Sequence, residues 1–178
     1  RSNEEISTIL SKKLPDFDSD LFLKETNNIQ GQLFPDTYFI YPLTGIDEIV
    51  KLLNNTFKRK TKTALEKGYK NYSSEEIIIM TSVVEEEANG DNDRDIIAGI
   101  LWNRLEKGMM LQVDVAPETY KTKGLPKSPI TNFGIKSLEA TVNPKDSLYL
   151  FYLHDKNGMI HLAKNYTEHK NNIKKYLK

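Results

Sequence analysis

An α+β domain is what this sequence predicts: a helical N-terminal lobe over residues 1–70, then a core over residues 71–178 built on a central pair of helices, short strands and a C-terminal β-hairpin followed by a helix. Three observations carry that expectation. Apolar residues recur at helical spacing behind sequences with the pattern of a capping box. Only two short stretches show strand-like patterning, and one of them is a hairpin signal near the C-terminus. The sequence shows neither internal repeats nor low-complexity tracts.

Taken in order, Ser2-Asn3-Glu4-Glu5 has capping-box spacing, and Ile6, Ile9, Leu10 and Leu14 follow at helical intervals as far as Pro15. Phe17, Leu21, Phe22 and Leu23 predict a second short helix over about Ser19 to Thr26, closed by Asn27-Asn28 and Gly31. Leu33 to Pro42 is densely aromatic and contains two prolines, which predicts an extended segment packing an aromatic cluster. Asp36 and Tyr38 in that segment are also of a type that touches sugars. From Gly45 to about Lys67, Ile46, Ile49, Val50, Leu52, Leu53, Phe57 and Leu65 mark a long amphipathic helix whose lysine-rich side is a solvated face.

The rest of the chain is organised around Ile77 to Ala88, where a very apolar helix runs directly into three consecutive carboxylates. Ser73-Ser74-Glu75-Glu76 is a capping box that starts this helix at Ser74, and Asn89-Gly90 stops it. At about 100° per residue, Ile77, Met80, Val83, Val84 and Ala88 share one face, and Glu87 projects between Met80 and Val83. Glu85 and Glu86 point elsewhere. A carboxyl on an apolar face is desolvated, which raises its pKa toward that of a general acid working near neutral pH. The alternative is that Glu87, in the last turn before Gly90, simply turns to water.

Asp91-Asn92-Asp93 offers caps for the next helix, which runs through Ile96, Ile97, Ile100, Leu101 and Leu105 to Gly108. Arg104 falls in the middle of its apolar face, so its guanidinium needs a carboxylate or several carbonyls, and Glu85 is the expected partner. Asn103 borders that face, whereas Trp102 points to the far side, where it packs on another lobe. Met109 to Val115 alternates as a short strand would, with Gln112 and Asp114 on one side as a hydrogen-bonding pair for hydroxyls or as solvent-facing residues. A loop punctuated by Gly124, Pro126 and Pro129 and carrying Tyr120 follows, then a short helical turn over Ser137 to Thr141. Leu148 to Leu153, a polar tip at His154 to Gly158, and Met159 to Ala163 form the hairpin; Tyr166 to Leu177 is a basic closing helix. His154, His161 and His169 have no spacing suited to a metal site and read as structural or surface histidines.

The bulk numbers exclude several classes. The 178 residues carry 25 Lys+Arg against 25 Asp+Glu, so no global field recruits nucleic acid or anionic lipid. Cysteine is absent, which removes disulfides, thiol catalysis and cysteine metal sites and suits an exported protein. No apolar run approaches the ~20 residues that span a bilayer. A sequence that begins at Arg1 rather than Met leaves room for a signal or anchor upstream.

In order, the motifs resemble those of the endolytic murein transglycosylase (YceG-like) family over nearly the whole chain. Gly31-Gln32-Leu33-Phe34-Pro35-Asp36-Thr37-Tyr38 is similar to its glycine-to-tyrosine signature, and Thr81 to Glu87 to its helix in which two glutamates flank one variable residue. Ile100 to Leu105, Gly108-Met109 and Leu111-Gln112-Val113-Asp114 resemble the next block. Gly124-Leu125-Pro126, Pro129-Ile130, Asn143-Pro144, His161 and Glu168-His169 continue the correspondence.

That resemblance implies a peptidoglycan lytic transglycosylase with its catalytic glutamate at Glu87, which the helix wheel selects independently. It also implies that Glu85, Asn103, Arg104, Gln112 and Asp114 line or support the cleft; Tyr38 and Tyr120 are further candidates for binding substrate, and neither metal nor organic cofactor is expected. The implied partners are glycan strands and, through the family, cell-wall synthases and elongation proteins; the implied location is outside a bacterial cytoplasmic membrane, on one N-terminal anchor. Two departures stand out: Gln30 replaces the glutamate usual before the signature glycine, and the segment from Asp114 to Gly124 is shorter than in many relatives, which implies a more open groove. A non-catalytic peptidoglycan-binding domain, or a water-using hydrolase with Asp114 as base, are the alternatives.

Overall fold

A computed structural model describes residues 1–90 and 92–177. Its elements follow as α1 (Asn3–Ser11), α2 (Ser19–Thr26), α3 (Ile46–Lys67), α4 (Ser74–Glu87), α5 (Arg94–Glu106), a short 3-10 turn (Pro117–Tyr120), α6 (Ile135–Val142), β1 (Phe151–His154), β2 (Ile160–Ala163) and α7 (Tyr166–Tyr176). The α+β class is as expected. Both capping boxes form, Ser2 with Glu5 and Ser73 with Glu76, each hydroxyl accepting from the backbone while the glutamate reaches back. Such a cap contributes about 1 kcal/mol, so two helix starts are fixed by local chemistry alone.

Three apolar clusters run through the molecule. Phe22, Leu33, Ile49 and Leu53 form one under α1 and α2; Phe34, Phe57, Ile77, Phe133, Leu138 and Val142 form the next; Met80, Val83, Val84, Ile97, Ala98, Leu101, Trp102, Leu111 and Val113 belong to the third. Helix α3 supplies Ile49 and Leu53 to the first and Phe57 to the second, and α4 supplies Ile77 to the second and Met80, Val83 and Val84 to the third. Two long helices therefore join the clusters into one continuous interior. Trp102 is fully buried as a structural residue: Tyr72 stacks on it at 4.2 Å, and its indole N–H donates to the Thr141 carbonyl at 3.0 Å.

The expected strand over 109–115 does not form. Burial still alternates, with Leu111 and Val113 inside and Gln112 and Asp114 outside, but Gln112 has φ +53°, in the left-handed region. A residue in that conformation breaks an extended run. The segment instead folds back on itself, with Gln112 N–H donating to the Thr119 carbonyl and the buried Thr119 hydroxyl accepting from Val113 N–H.

Strands β1 and β2 pair antiparallel, Phe151 opposite Ala163 and His154 opposite Ile160, so His154 belongs to the ladder rather than to the tip. Asp155 organises the tip: its carboxylate accepts from the N–H groups of Asn157 and Met159 and faces His161 Nε2 at 2.9 Å. One face of the hairpin packs on α7 through Phe151, which stacks on His169, and through His161, which stacks on Tyr176. The other face, carrying Tyr152 and His154, looks back at α4 and α5.

Candidate active site

Helix α4 ends in three carboxylates at the negative end of its dipole, where anionic charge is disfavoured. The chain handles them separately. Glu86 is exposed. Glu85 turns to the N-terminus of α6, where it accepts from the Ser137 hydroxyl and, at 3.4 Å, from Gly134 N–H. Glu87, the last helical residue, is half-buried and accepts from the Tyr152 phenol at 2.5 Å on Oε2. Burial pushes the Glu87 carboxyl above the ordinary glutamate value; the Tyr152 hydrogen bond works against this, the Asp114 charge adds to it, and His154 and Arg104 oppose it. The open alternative, a side chain turned to water, is not what the fold adopts.

Arg104 is buried, and the expected pairing with Glu85 is absent because Glu85 caps α6. Its guanidinium instead donates to the Met110 carbonyl at 3.1 Å and to Gln112 Oε1 at 2.5 Å, and it lies over the Phe151 ring at 5.3 Å. Burial lowers its pKa, while Tyr152, Tyr120 and Glu87 hold it up. Backbone and amide oxygens thus satisfy a buried cation that forms no ion pair with a carboxylate among the described residues. The same fork holds Gln112 in its left-handed turn. Asp114 accepts from the Tyr120 phenol at 2.6 Å, a bond that raises the Tyr120 pKa.

Glu87, Arg104, Gln112, Asp114 and Tyr120 are accordingly drawn into one neighbourhood. Asn103 and Tyr38 are elsewhere. The Asn103 amide donates to the carbonyls of Ser147 and Tyr149, holding the segment that enters β1. Tyr38 packs with the α1–α2 cluster, donates to the Phe34 carbonyl at 2.7 Å, and lines a groove of about 790 Å³ with residues of α1. Gln30 is also structural: its Oε1 accepts from Asn3 N–H and its Nε2 donates to the Ile130 carbonyl, both at 3.0 Å, tying α1 to the 130 region. That two-sided bond needs an amide.

The residues that local patterning missed are Tyr152, His154 and Asp93. The signal available was the hairpin's alternation, which sets Tyr152 and His154 two apart on one face, opposite Phe151 and Leu153. Asp93 was expected as one of three helix caps; Asp91 lies outside the described residues, and Asp93 holds the cap position of α5 without a side-chain capping bond. Its buried carboxylate instead accepts from Asn89 N–H at 3.1 Å and meets His154 Nε2 at 2.7 Å. None of the three histidines joins a metal cluster, and among the described residues no group of three or more His, Asp or Glu is arranged to hold one.

The profile of the YceG-like family matches residues 1–117 and 118–175. A Bacillus subtilis protein named endolytic murein transglycosylase is 32% identical over 196 residues, covering 94% of this chain and 54% of that protein. One of the same name from Streptococcus pneumoniae D39 is 27% identical over 178 residues, covering 84% of this chain and 32% of its own length. The chain therefore spans about half, or a third, of these relatives. In fold it is similar to a Listeria monocytogenes protein described as yceG-like, with a TM-score of 0.86 at 24% identity over 96% of this chain and 73% of that one. With the family profile matched along nearly its entire length, this chain belongs to the YceG-like family.

Proposed function

We propose that the chain is the catalytic part of an endolytic murein transglycosylase, with Glu87 as general acid and then general base. The observation that carries this is a single half-buried carboxyl, raised in pKa, whose Oε2 is held by Tyr152 beside Arg104, Gln112 and Asp114. Relatives named for the same activity support it.

In the first step the protonated Glu87 gives its proton to the glycosidic oxygen between N-acetylmuramic acid and N-acetylglucosamine. The C1–oxygen bond breaks and the glucosamine leaves as its C4 alcohol. In the second, the Glu87 carboxylate takes the proton of the muramyl C6 hydroxyl as that oxygen bonds to C1, giving a 1,6-anhydro end and restoring the acid. One carboxyl serves both steps because the nucleophile belongs to the substrate, so the second carboxylate of a hydrolase is not required. Asp114, Tyr120 and Gln112 orient sugar hydroxyls or the acetamido group. Asn103 and Glu85 act by holding backbone, and Tyr38 contacts a more distant part of the strand.

The substrate is peptidoglycan, cut within glycan strands, which terminates their growth in concert with cell-wall synthases. The expected place of action is the outer face of a bacterial cytoplasmic membrane; no helix among the described residues is long and apolar enough to cross a membrane. The test is digestion of purified peptidoglycan by the native chain and by Glu87→Gln: new chain ends from the native protein alone support the assignment, and equal cutting by both refutes it.

A further inference from the structure

Side-chain carboxyls rotate freely about their last bond, with two broad orientations. A residue that must first give and then take a proton at a fixed point gains from having one oxygen tied down. Glu87 has such a tie, and it comes from an element that carries no motif of its own.

We propose that Tyr152 is a positioning residue of the reaction: by donating to Oε2 of Glu87 it leaves Oε1 as the atom that delivers and recovers the proton. This deepens the reading of Glu87 given above and rests on it. The phenol donates to Oε2 at 2.5 Å, within the range of a charge-assisted bond. Its direction is over-determined. Tyr152 stands between Phe151, held between the Arg104 guanidinium and the His169 ring, and Leu153, which is buried. Opposite Tyr152 in the ladder is Leu162. The approach to β1 is fixed by the Asn103 amide on the Ser147 and Tyr149 carbonyls, and the return by the Asp155–His161 contact. At the tip, Gly158 lies against Asn89, in the linker that follows Glu87. The hairpin thus grips both the carboxyl and the end of its helix.

A donor at Oε2 favours the carboxylate, so it strengthens Glu87 as an acid toward the glycosidic oxygen. Five charged or titratable groups interact with Glu87: Tyr152 and His154 from β1, Arg104 from α5, Asp114 from the segment after α5, and Tyr120 from the 3-10 turn. Of these, Tyr152 is the one hydrogen-bonded to it. Burial keeps the Tyr152 phenol protonated far above neutral pH, aided by the Glu87 charge.

Tyr152→Phe removes the donor and keeps the ring. The expected result is a fall in kcat of about tenfold to a hundredfold with KM unchanged, and a move of the alkaline limb of the pH profile to higher pH, because Glu87 then holds its proton more tightly. A ring-fluorinated tyrosine at position 152, a stronger donor, moves that limb the other way, and this second variant decides the matter should Tyr152→Phe melt early. A purely packing role moves neither limb. Native kcat and native pH profile in both variants, with Glu87→Gln inactive, overturn the proposal while leaving Glu87 as the acid. Full activity in Glu87→Gln overturns the reading beneath it.

Discussion

Gly99 sits in the middle of α5 at the point where the chain that leads to the hairpin crosses it. A Cβ built there lies 2.3 Å from the Lys145 carbonyl oxygen, against a closest normal approach of 3.0 Å, so Gly99→Ala demands a displacement of at least 3.0 − 2.3 = 0.7 Å from backbone on one side or the other. Overpacking of this kind costs about 1–3 kcal/mol. Moving residue 145 also weakens its N–H bond to the Asp95 carbonyl, now 2.9 Å, at about 1 kcal/mol. Against this, alanine gains about 1 kcal/mol over glycine in a helix interior. The net is a loss of about 1–3 kcal/mol, which for a domain of this size lowers Tm by about 2–12 °C. Thermal unfolding followed by circular dichroism measures it. A variant that melts with the native protein or above it would refute the tight crossing of α5 by the chain at residue 145.

Glu87→Gln removes a carboxyl whose proton the fold holds more tightly than the unfolded chain does, while keeping an oxygen for Tyr152. Because the folded pKa is raised, the native state binds more protons than the unfolded state as pH climbs above the ordinary glutamate value, so native stability falls through that window. The Tm advantage of Glu87→Gln should therefore be smallest in acid and grow toward neutral pH; a difference that stays constant with pH, or shrinks, contradicts the burial argument. Gln30→Glu keeps the acceptor for Asn3 but sets a carboxylate against the Ile130 carbonyl, at about 1–3 kcal/mol. Its urea midpoint should drop at neutral pH and recover in acid, where the protonated side chain donates again, and an unchanged midpoint would show that the bridge contributes nothing. For Tyr152→Phe the expected signature is lower kcat at constant KM with an alkaline limb moved upward.

What local chemistry dictates was legible in the sequence. The capping boxes at Ser2 and Ser73, the start of α4 at Ser74, and the hairpin near residue 150 follow from interactions within a few residues of each other. The position of Glu87 on an apolar face was legible for the same reason. The destinations of Glu85 and Arg104 were not, because they depend on what approaches from elsewhere: α6 brings its N-terminus to Glu85, and the backbone at Met110 reaches Arg104 before any carboxylate does. Gln112 misled as part of an alternating run, since a period of two in burial survives a left-handed turn that ends the strand. Tyr152 meets Glu87 across 65 positions of sequence, a contact that only the docking of the hairpin creates.

The measurement that bears most directly on Glu87 as both acid and base is the chemistry of the cut ends. Peptidoglycan digested in heavy-oxygen water by the native chain, and in parallel by Glu87→Gln, is resolved by mass spectrometry. Anhydromuramyl ends that carry no heavy oxygen, made by the native chain and absent with Glu87→Gln, are the predicted result. Reducing ends labelled from water would contradict it, since water rather than the muramyl C6 hydroxyl would then be the nucleophile.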